Sequence, residues 1–324
     1  MNRPTTQPNC LHFAVLALLC TLCAGASAQT LIRSMVPFAP GGPSDSGGRI
    51  VAQRYTEMYP AENVVVENRP GANGVLAARA LVQAPADGKT WMFADGALIS
   101  VNPSLYPRDP DFDADRDLKV VAAIGLQPSL LVVNPAGPKT LGEFVELAKK
   151  RPVTYASAGI GSTGHLTMAY FGSVAGLQLT HVPYKGAVPG LTNLVGGQVE
   201  SAFNLVAGPL PLVRAGKLRA LAVSGNRPLP ELPGVPTVRE SGYPEFEVLS
   251  GLFVVVSSRT PPDIVKGIEE NLQRVVDDTR VHERLRALAV EPARMSAAQA
   301  TRWLSAEQAR WTKVIRESGI KAQN

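Results

Sequence analysis

Short apolar, β-branched runs alternate along this chain with longer stretches whose apolar positions recur every three or four residues. Residues 31–36, 63–67, 90–94, 130–133 and 153–156 predict strands, as do 178–182, 199–203, 218–223 and 252–256. Helical patterns over 44–59, 141–150 and 162–174 lie between them. Such alternation predicts an α/β fold with mostly parallel central sheets flanked by helices. Turn sequences such as Arg69-Pro70-Gly71 and Ala86-Asp87-Gly88 punctuate it. The tail is different. Thr260-Pro261-Pro262 is a helix start, and Ile264, Ile268, Leu272, Val275 and Val276 form one apolar stripe after it. Ser296 to Gln299 reads as a capping box. It opens a last helix that turns Trp303, Leu304, Trp311, Val314 and Ile315 inward. These helices suit the face of the first sheet, which makes the middle of the chain an inserted unit. No short internal repeat is visible.

Residues 1–28 read as a secretory leader: Arg3 near the start, a mostly apolar stretch over 11–23, then Ala26-Ser27-Ala28. The apolar stretch is too short to span a bilayer. The expected mature chain starts at Gln29 and resides in the periplasm. Cys10, Cys20 and Cys23 all fall inside the leader, so residues 29–324 contain no thiol for a disulfide, a thiolate metal site or a nucleophile. They are numerous enough to bury a large core without disulfides. Loss of Arg3 lowers the formal net charge by one from +5. The charges are scattered, with no basic stripe interleaved with aromatics, which excludes nucleic acid as the expected partner. His165, His181 and His282 show no paired metal-ligand spacing, so no metal or other cofactor is expected.

The candidate chemistry sits in two glycine-rich loops, each between a strand and a helix. The first is Val36-Pro37-Phe38-Ala39-Pro40-Gly41-Gly42-Pro43-Ser44-Asp45. The second is Ala156-Ser157-Ala158-Gly159-Ile160-Gly161-Ser162-Thr163-Gly164-His165. Glycine lets backbone approach a ligand closely, and the free N–H groups of a helix's first turn favour an anion. Two such loops suggest two jaws on one small anion. Gly159-x-Gly161-x-x-Gly164 also fits a dinucleotide fingerprint, but the acidic residue that the fingerprint needs about twenty positions on is replaced by His181, Tyr184 and Lys185. A hydrolase using Ser162 and His165 lacks a Gly-x-Ser-x-Gly elbow and an identifiable orienting acid. No catalytic residue is expected.

Beyond these loops, Val66-Glu67-Asn68-Arg69-Pro70-Gly71-Ala72, Asn102-Pro103-Ser104-Leu105-Tyr106, His181-Val182-Pro183-Tyr184-Lys185-Gly186, Gly216-Lys217-Leu218-Arg219 and Val235-Pro236-Thr237 follow in order. With them the chain resembles the Bug, or TctC-like, solute receptors of tripartite tricarboxylate transporters, over essentially all of residues 29–324. The resemblance implies a two-lobed periplasmic binding protein, a Venus flytrap of type II kind. Its lobe 1 would be 29–128 plus 252–324, and its lobe 2 129–251. It implies a monomer that binds a small organic carboxylate and delivers it to membrane permease subunits. A sensor module docking on a two-component receptor kinase needs the same closure.

On this reading Gly41 and Gly42 supply amide donors, and Phe38 and Ala39 an apolar wall. Asp45 orients the loop or caps the helix. Ser157, Ala158, Ser162 and Thr163 bring the second loop to the ligand, and Gly161 brings its amide. His165 either donates to a carboxylate or packs as a structural group. Tyr184 stacks on the ligand or fills the core, and Lys185 is expected in solvent. Family members that bind amino acids tend to carry an Asp where this chain has Asn204, so the likeness implies an acid without an amine. Leu249-Ser250-Gly251 replaces the family's Trp-Tyr-Gly, and Leu98 a polar residue or His, which suggests a more apolar pocket.

Overall fold

The computed structural model describes residues 29–105 and 111–321. The leader with its cysteines and its cleavage point at Ala28 lies outside the described residues, as does Tyr106. The chain opens with β1 (Thr30–Val36), α1 (Pro43–Met58) and β2 (Glu62–Asn68). A single 3-10 turn over Ala72–Gly74 leads into α2 (Val75–Gln83) and β3 (Thr90–Asp95). Three short helices follow, α3 (Gly96–Ser100), α4 (Asn102–Leu105) and α5 (Ala114–Asp117). Then comes β4 (Leu118–Val133), the longest strand. The middle of the chain alternates α6 (Leu141–Lys150), β5 (Val153–Ser157), α7 (Thr163–Ala175), β6 (Leu179–Pro183), α8 (Ala187–Val195), β7 (Ser201–Leu205), α9 (Leu210–Arg214) and β8 (Arg219–Val223). The tail holds β9 (Leu249–Ser257), α10 (Pro262–Val276), α11 (Thr279–Ala287), β10 (Glu291–Pro292) and α12 (Ala297–Glu317).

The strands run β2-β1-β3-β9-β4-β7-β5-β6, with β8 and β10 also on β4. The pairs built from strand–helix–strand units are parallel: β1 with β2 and β3, and β5 with β6 and β7. Every antiparallel pair includes β4 or β9. β4 changes partner part-way along: Leu118 to Pro128 bond to β9, and Ser129 to Val133 bond to β7 and β8. The sequence pattern predicts only the last four residues of this strand. Gly125 and Pro128, residue types that ordinarily weaken a strand, both belong to it. A Cβ at Gly125 would lie 2.4 Å from Val290 Cγ1, so the close crossing of β10 requires glycine there.

Each sheet half buries an apolar layer on both faces. Around β1, β3 and β9 the layers hold Ile32, Val36, Tyr55, Trp91, Leu272 and Leu285 on one side, and Met35, Leu81, Phe253 and Leu304 on the other. Around β5 and β7 they hold Phe144, Phe171, Phe203 and Phe246, and opposite them Ala156, Leu191 and Leu218. The stripe predicted on α10 packs into the first core, through Ile268, Leu272, Val275 and Val276. The capping box at Ser296 and Gln299 is formed. The last helix is shared: Ala300 and Leu304 enter the core of the first half, and Trp311, Val314 and Ile315 that of the second.

Gly164, in the first turn of α7, lies against β7, where an added Cβ would come 2.3 Å from the Phe203 carbonyl oxygen. That is the close helix–strand approach that a third fingerprint glycine provides. Gly164→Ala is therefore expected to lower unfolding stability by about 1–3 kcal/mol, because a backbone carbonyl has no rotamer to move aside. Urea denaturation checks this, and a midpoint equal to wild type would refute it.

Candidate functional site

The two glycine loops sit at the carboxyl ends of β1 and β5, each feeding the first turn of a helix, but they are finished differently. The amino end of α1 carries no side-chain cap. Gly42 is its N-cap and Pro43, its first residue, has no N–H. The first internal bond runs from the Ser46 amide to the Gly42 carbonyl. The amides of Ser44 and Asp45 are thus left facing outward from the helix end. The Asp45 side chain does not cap them. It folds back so that the Gly41 amide donates to it at 3.0 Å. Gly41 reaches this geometry at φ +82°, a left-handed conformation that suits glycine. Arg49 Nε donates to the same carboxylate at 3.0 Å and Asn68 Nδ2 at 2.9 Å. Asn68 Nδ2 also donates to the Phe38 carbonyl at 3.0 Å, pinning the loop to the end of β2. Burial pushes the Asp45 carboxyl up, but the bonds from Arg49, Gly41 and Asn68 outweigh it and hold its pKa below the usual value. Beside this end, Phe38 is half-buried and Ala39 exposed.

The second loop satisfies itself. Ser162 is the N-cap of α7, accepting from the His165 amide and donating to the Gly159 carbonyl at 2.7 Å. Ser157 Oγ accepts from the Gly159 amide at 3.1 Å and lies 2.6 Å from His181 Nε2. The Gly161 amide donates to His165 Nδ1 at 3.1 Å. Two expected ligand donors are therefore taken by the protein: Gly41 serves Asp45, and Gly161 serves His165. His165 adopts the structural role. Its ring stacks on His181 at 3.8 Å between centroids, and His181 stacks on Tyr155 at 4.9 Å. Burial, with the neighbouring His181, pushes the pKa of His165 down to about 3, and burial pushes that of His181 down to about 4. Both rings are neutral at pH 7 and offer an anion no charge. Nor does Ser162 bond to the His165 ring, as the hydrolase alternative requires. Its hydroxyl is held by Gly159.

The second loop touches the first half of the molecule through residues that the sequence pattern does not single out. Asn73 Nδ2 donates to the Gly161 carbonyl at 3.3 Å and to Asn102 Oδ1 at 2.9 Å. Gly161 fits tightly, since a Cβ there would lie 2.3 Å from Leu105 Cδ1. Thr163 Oγ1 lies 3.4 Å from Asp95 Oδ1 and 3.5 Å from Ser250 Oγ. Asp95, buried, caps α3 through the Ala97 amide and accepts from Ser250 at 3.2 Å. Burial raises its pKa, against those bonds. The adjoining cavity, about 10 Å³, is water-sized and cannot take an organic acid. Among the described residues no hydrogen bond joins the 37–45 loop directly to the 157–165 loop.

The remaining expected residues lie in the second half, apart from Leu98. Ala158 is half-buried. The Tyr184 amide donates to the Ser157 carbonyl at 3.1 Å, and its ring packs beside Gly190 of α8. Asn204, buried, pairs in register with Leu130 and faces Gly208. Lys185 is exposed. Leu98 belongs to the core with Met35 and Leu81. Arg49, Asn73 and Asp95 are the polar residues that sequence reasoning misses, while Asn68, His181 and Ser250 enter it only as members of motifs, with no role of their own. Most are lone polar residues beside strand ends, a weak signal that only their convergence makes informative.

A family model described as "Tripartite tricarboxylate transporter family receptor" matches residues 49–320. A solved R. palustris protein with adipate is 32% identical, covering 90% of this chain and 98% of that one, at a TM-score of 0.85. The periplasmic binding protein BugD is 28% identical at a TM-score of 0.83, covering 91% and 99%. MatC from Rhodopseudomonas palustris, with bound malate, is 28% identical at 0.79, covering 88% and 99%.

The stacked histidines generate a pH prediction. Both are held below their ordinary pKa of 6.5, so the unfolded chain takes up protons first as pH falls. Their contribution is complete above about pH 6.5 and is lost as pH falls towards 4 and then 3. The expected slope is about 1.4 kcal/mol per pH unit for each ring. Urea unfolding of wild type and His165→Gln between pH 7 and 4.5 measures it. The variant keeps an acceptor for Gly161 and should show the shallower loss. Equal slopes would refute the assignment.

Proposed function

The chain belongs to the tripartite tricarboxylate transporter receptor family, and we propose that it is a periplasmic, non-catalytic receptor, acting as a monomer. It closes two lobes on a small organic carboxylate and delivers it to the membrane subunits of such a transporter. The observation that carries this reading is the uncapped amino end of α1. There the outward amides of Gly42, Ser44 and Asp45 offer a carboxylate hydrogen bonds and the positive end of a helix dipole. The one acid nearby does not oppose this, because Arg49 neutralises Asp45. Phe38 and Ala39 form the apolar wall. From the other lobe come Ala158, Thr163, Tyr184 and Asn204, while Ser157, Gly161, Ser162 and His165 keep the second loop in shape. The amide of Asn204 is neutral and does not select for an ammonium group.

Support for the chemical class comes from relatives with adipate and with malate. Support for the lobes, 29–128 plus 252–324 and 129–251, comes from the change of partner along β4 after Pro128. The leader ends at Ala28 and directs export. Among the described residues no helix is long and apolar enough to cross a membrane. Closure excludes water and strengthens the bonds to the acid. A micromolar ligand corresponds to about 8 kcal/mol.

A thermal-shift screen of the purified protein against mono-, di- and tricarboxylates and amino acids tests the reading. At a hundred times its dissociation constant a bound acid adds about 2.7 kcal/mol to stability, a clear rise in Tm. Ser44→Pro, which deletes one amide donor, is expected to weaken that acid about tenfold. Stabilisation by amino acids alone, or by nothing in the screen, would overturn the proposal.

A further inference from the structure

Gln127 is fully buried, at 0% exposure, yet neither its Oε1 nor its Nε2 has a hydrogen-bond partner among the described residues. A buried amide left unpaired is costly, so its position matters. Gln127 stands on β4 opposite Ser250 of β9, one pair before the strand changes partner. Residues paired across a ladder share a face, and so do alternate residues along a strand. Gln127, Ser250 and Leu252 therefore lie on one side of the sheet. Both helices come to that side. In α1, an added Cβ at Gly47 would lie 2.9 Å from Leu252 Cδ1. In α7, Thr163 Oγ1 is 3.5 Å from Ser250 Oγ, and Gly164 abuts β7, the strand beyond β4. Gln127 thus belongs to the floor that this sheet face forms beneath α1 and beside the first turn of α7.

We propose that Gln127 is a ligand-reading residue of this receptor, and that the acid it selects carries a hydroxyl group. The inference rests on the carboxylate reading above. An amide needs both an acceptor for its N–H groups and a donor for its oxygen. A carboxylate only accepts and would leave Oε1 unpaired. A hydroxyl donates and accepts, so one hydroxyl satisfies both ends of the side chain. The acid group then lies on the α1 amides and the hydroxyl on the floor, which makes the preferred ligand a hydroxycarboxylic acid.

The test takes the acid that most stabilises the purified protein and titrates the hydroxylated and unhydroxylated forms of its carbon chain calorimetrically. Malate against succinate and 3-hydroxyadipate against adipate are two such pairs. The hydroxylated form is expected to bind about tenfold tighter or better. Gln127→Met, similar in size without the polar ends, should bind the two forms equally. Without ligand it should melt above wild type, because the unpaired amide is gone. Equal affinities in wild type overturn the inference while leaving the carboxylate reading intact, and they decide the matter even if the variant does not fold. So does a preference that survives Gln127→Met. Binding by no acid at all removes the carboxylate reading itself, and this inference with it.

Discussion

The whole arrangement depends on the hydrogen-bond ladder of one strand. β4 spends its first eleven residues bonded to β9 and its last five bonded to β7 and β8. Its peptide groups are thereby committed in both halves of the molecule, and it cannot slip in register without breaking ladders on either side. The two helix starts that flank the site are built on opposite sides of this change of partner. β4 is thus a backbone connection through which the two helix starts are joined. β9 returns alongside the first part of β4, and the Val248 amide just before it donates to the Ser224 carbonyl, so a second chain connection joins the halves beside β4.

What distinguishes the two glycine loops is how much of their polarity is already satisfied. The second loop is rich in hydroxyls and glycine amides, which makes it look like the better donor, but those groups close on one another and on His165. The first loop offers fewer side-chain donors. Its one acid is turned away from the helix end and paired with Arg49, and the backbone amides in front of it have no side-chain cap. A bare helix end is an unfavourable thing to leave in a folded protein unless something with negative charge visits it. On the proposed reading, the less decorated loop is therefore the one that takes the anion.

Much of this was legible in the chain. The strands that build the parallel pairs and the stripe on α10 follow from periodicity, because each apolar face has a layer of core to fill. The Ser296 capping box is likewise local chemistry and is formed. The first part of β4 was not legible. Gly125 and Pro128 break a local pattern, and what requires them is β10 and the partner change, contacts that no window of sequence contains. The glycines at 41, 42 and 161 are correctly placed at helix starts, but which amides remain free depends on where Asp45 and the His165 ring turn. Stacking of His165 on His181, sixteen residues away along the chain, has no local signature at all.

The shared helix α12 couples the packing of the two halves. Trp311, Val314 and Ile315 close one core, and Ala300 and Leu304 close the other. Neither core is complete until this one helix has docked on both, so loosening it would open apolar surface in two places at once.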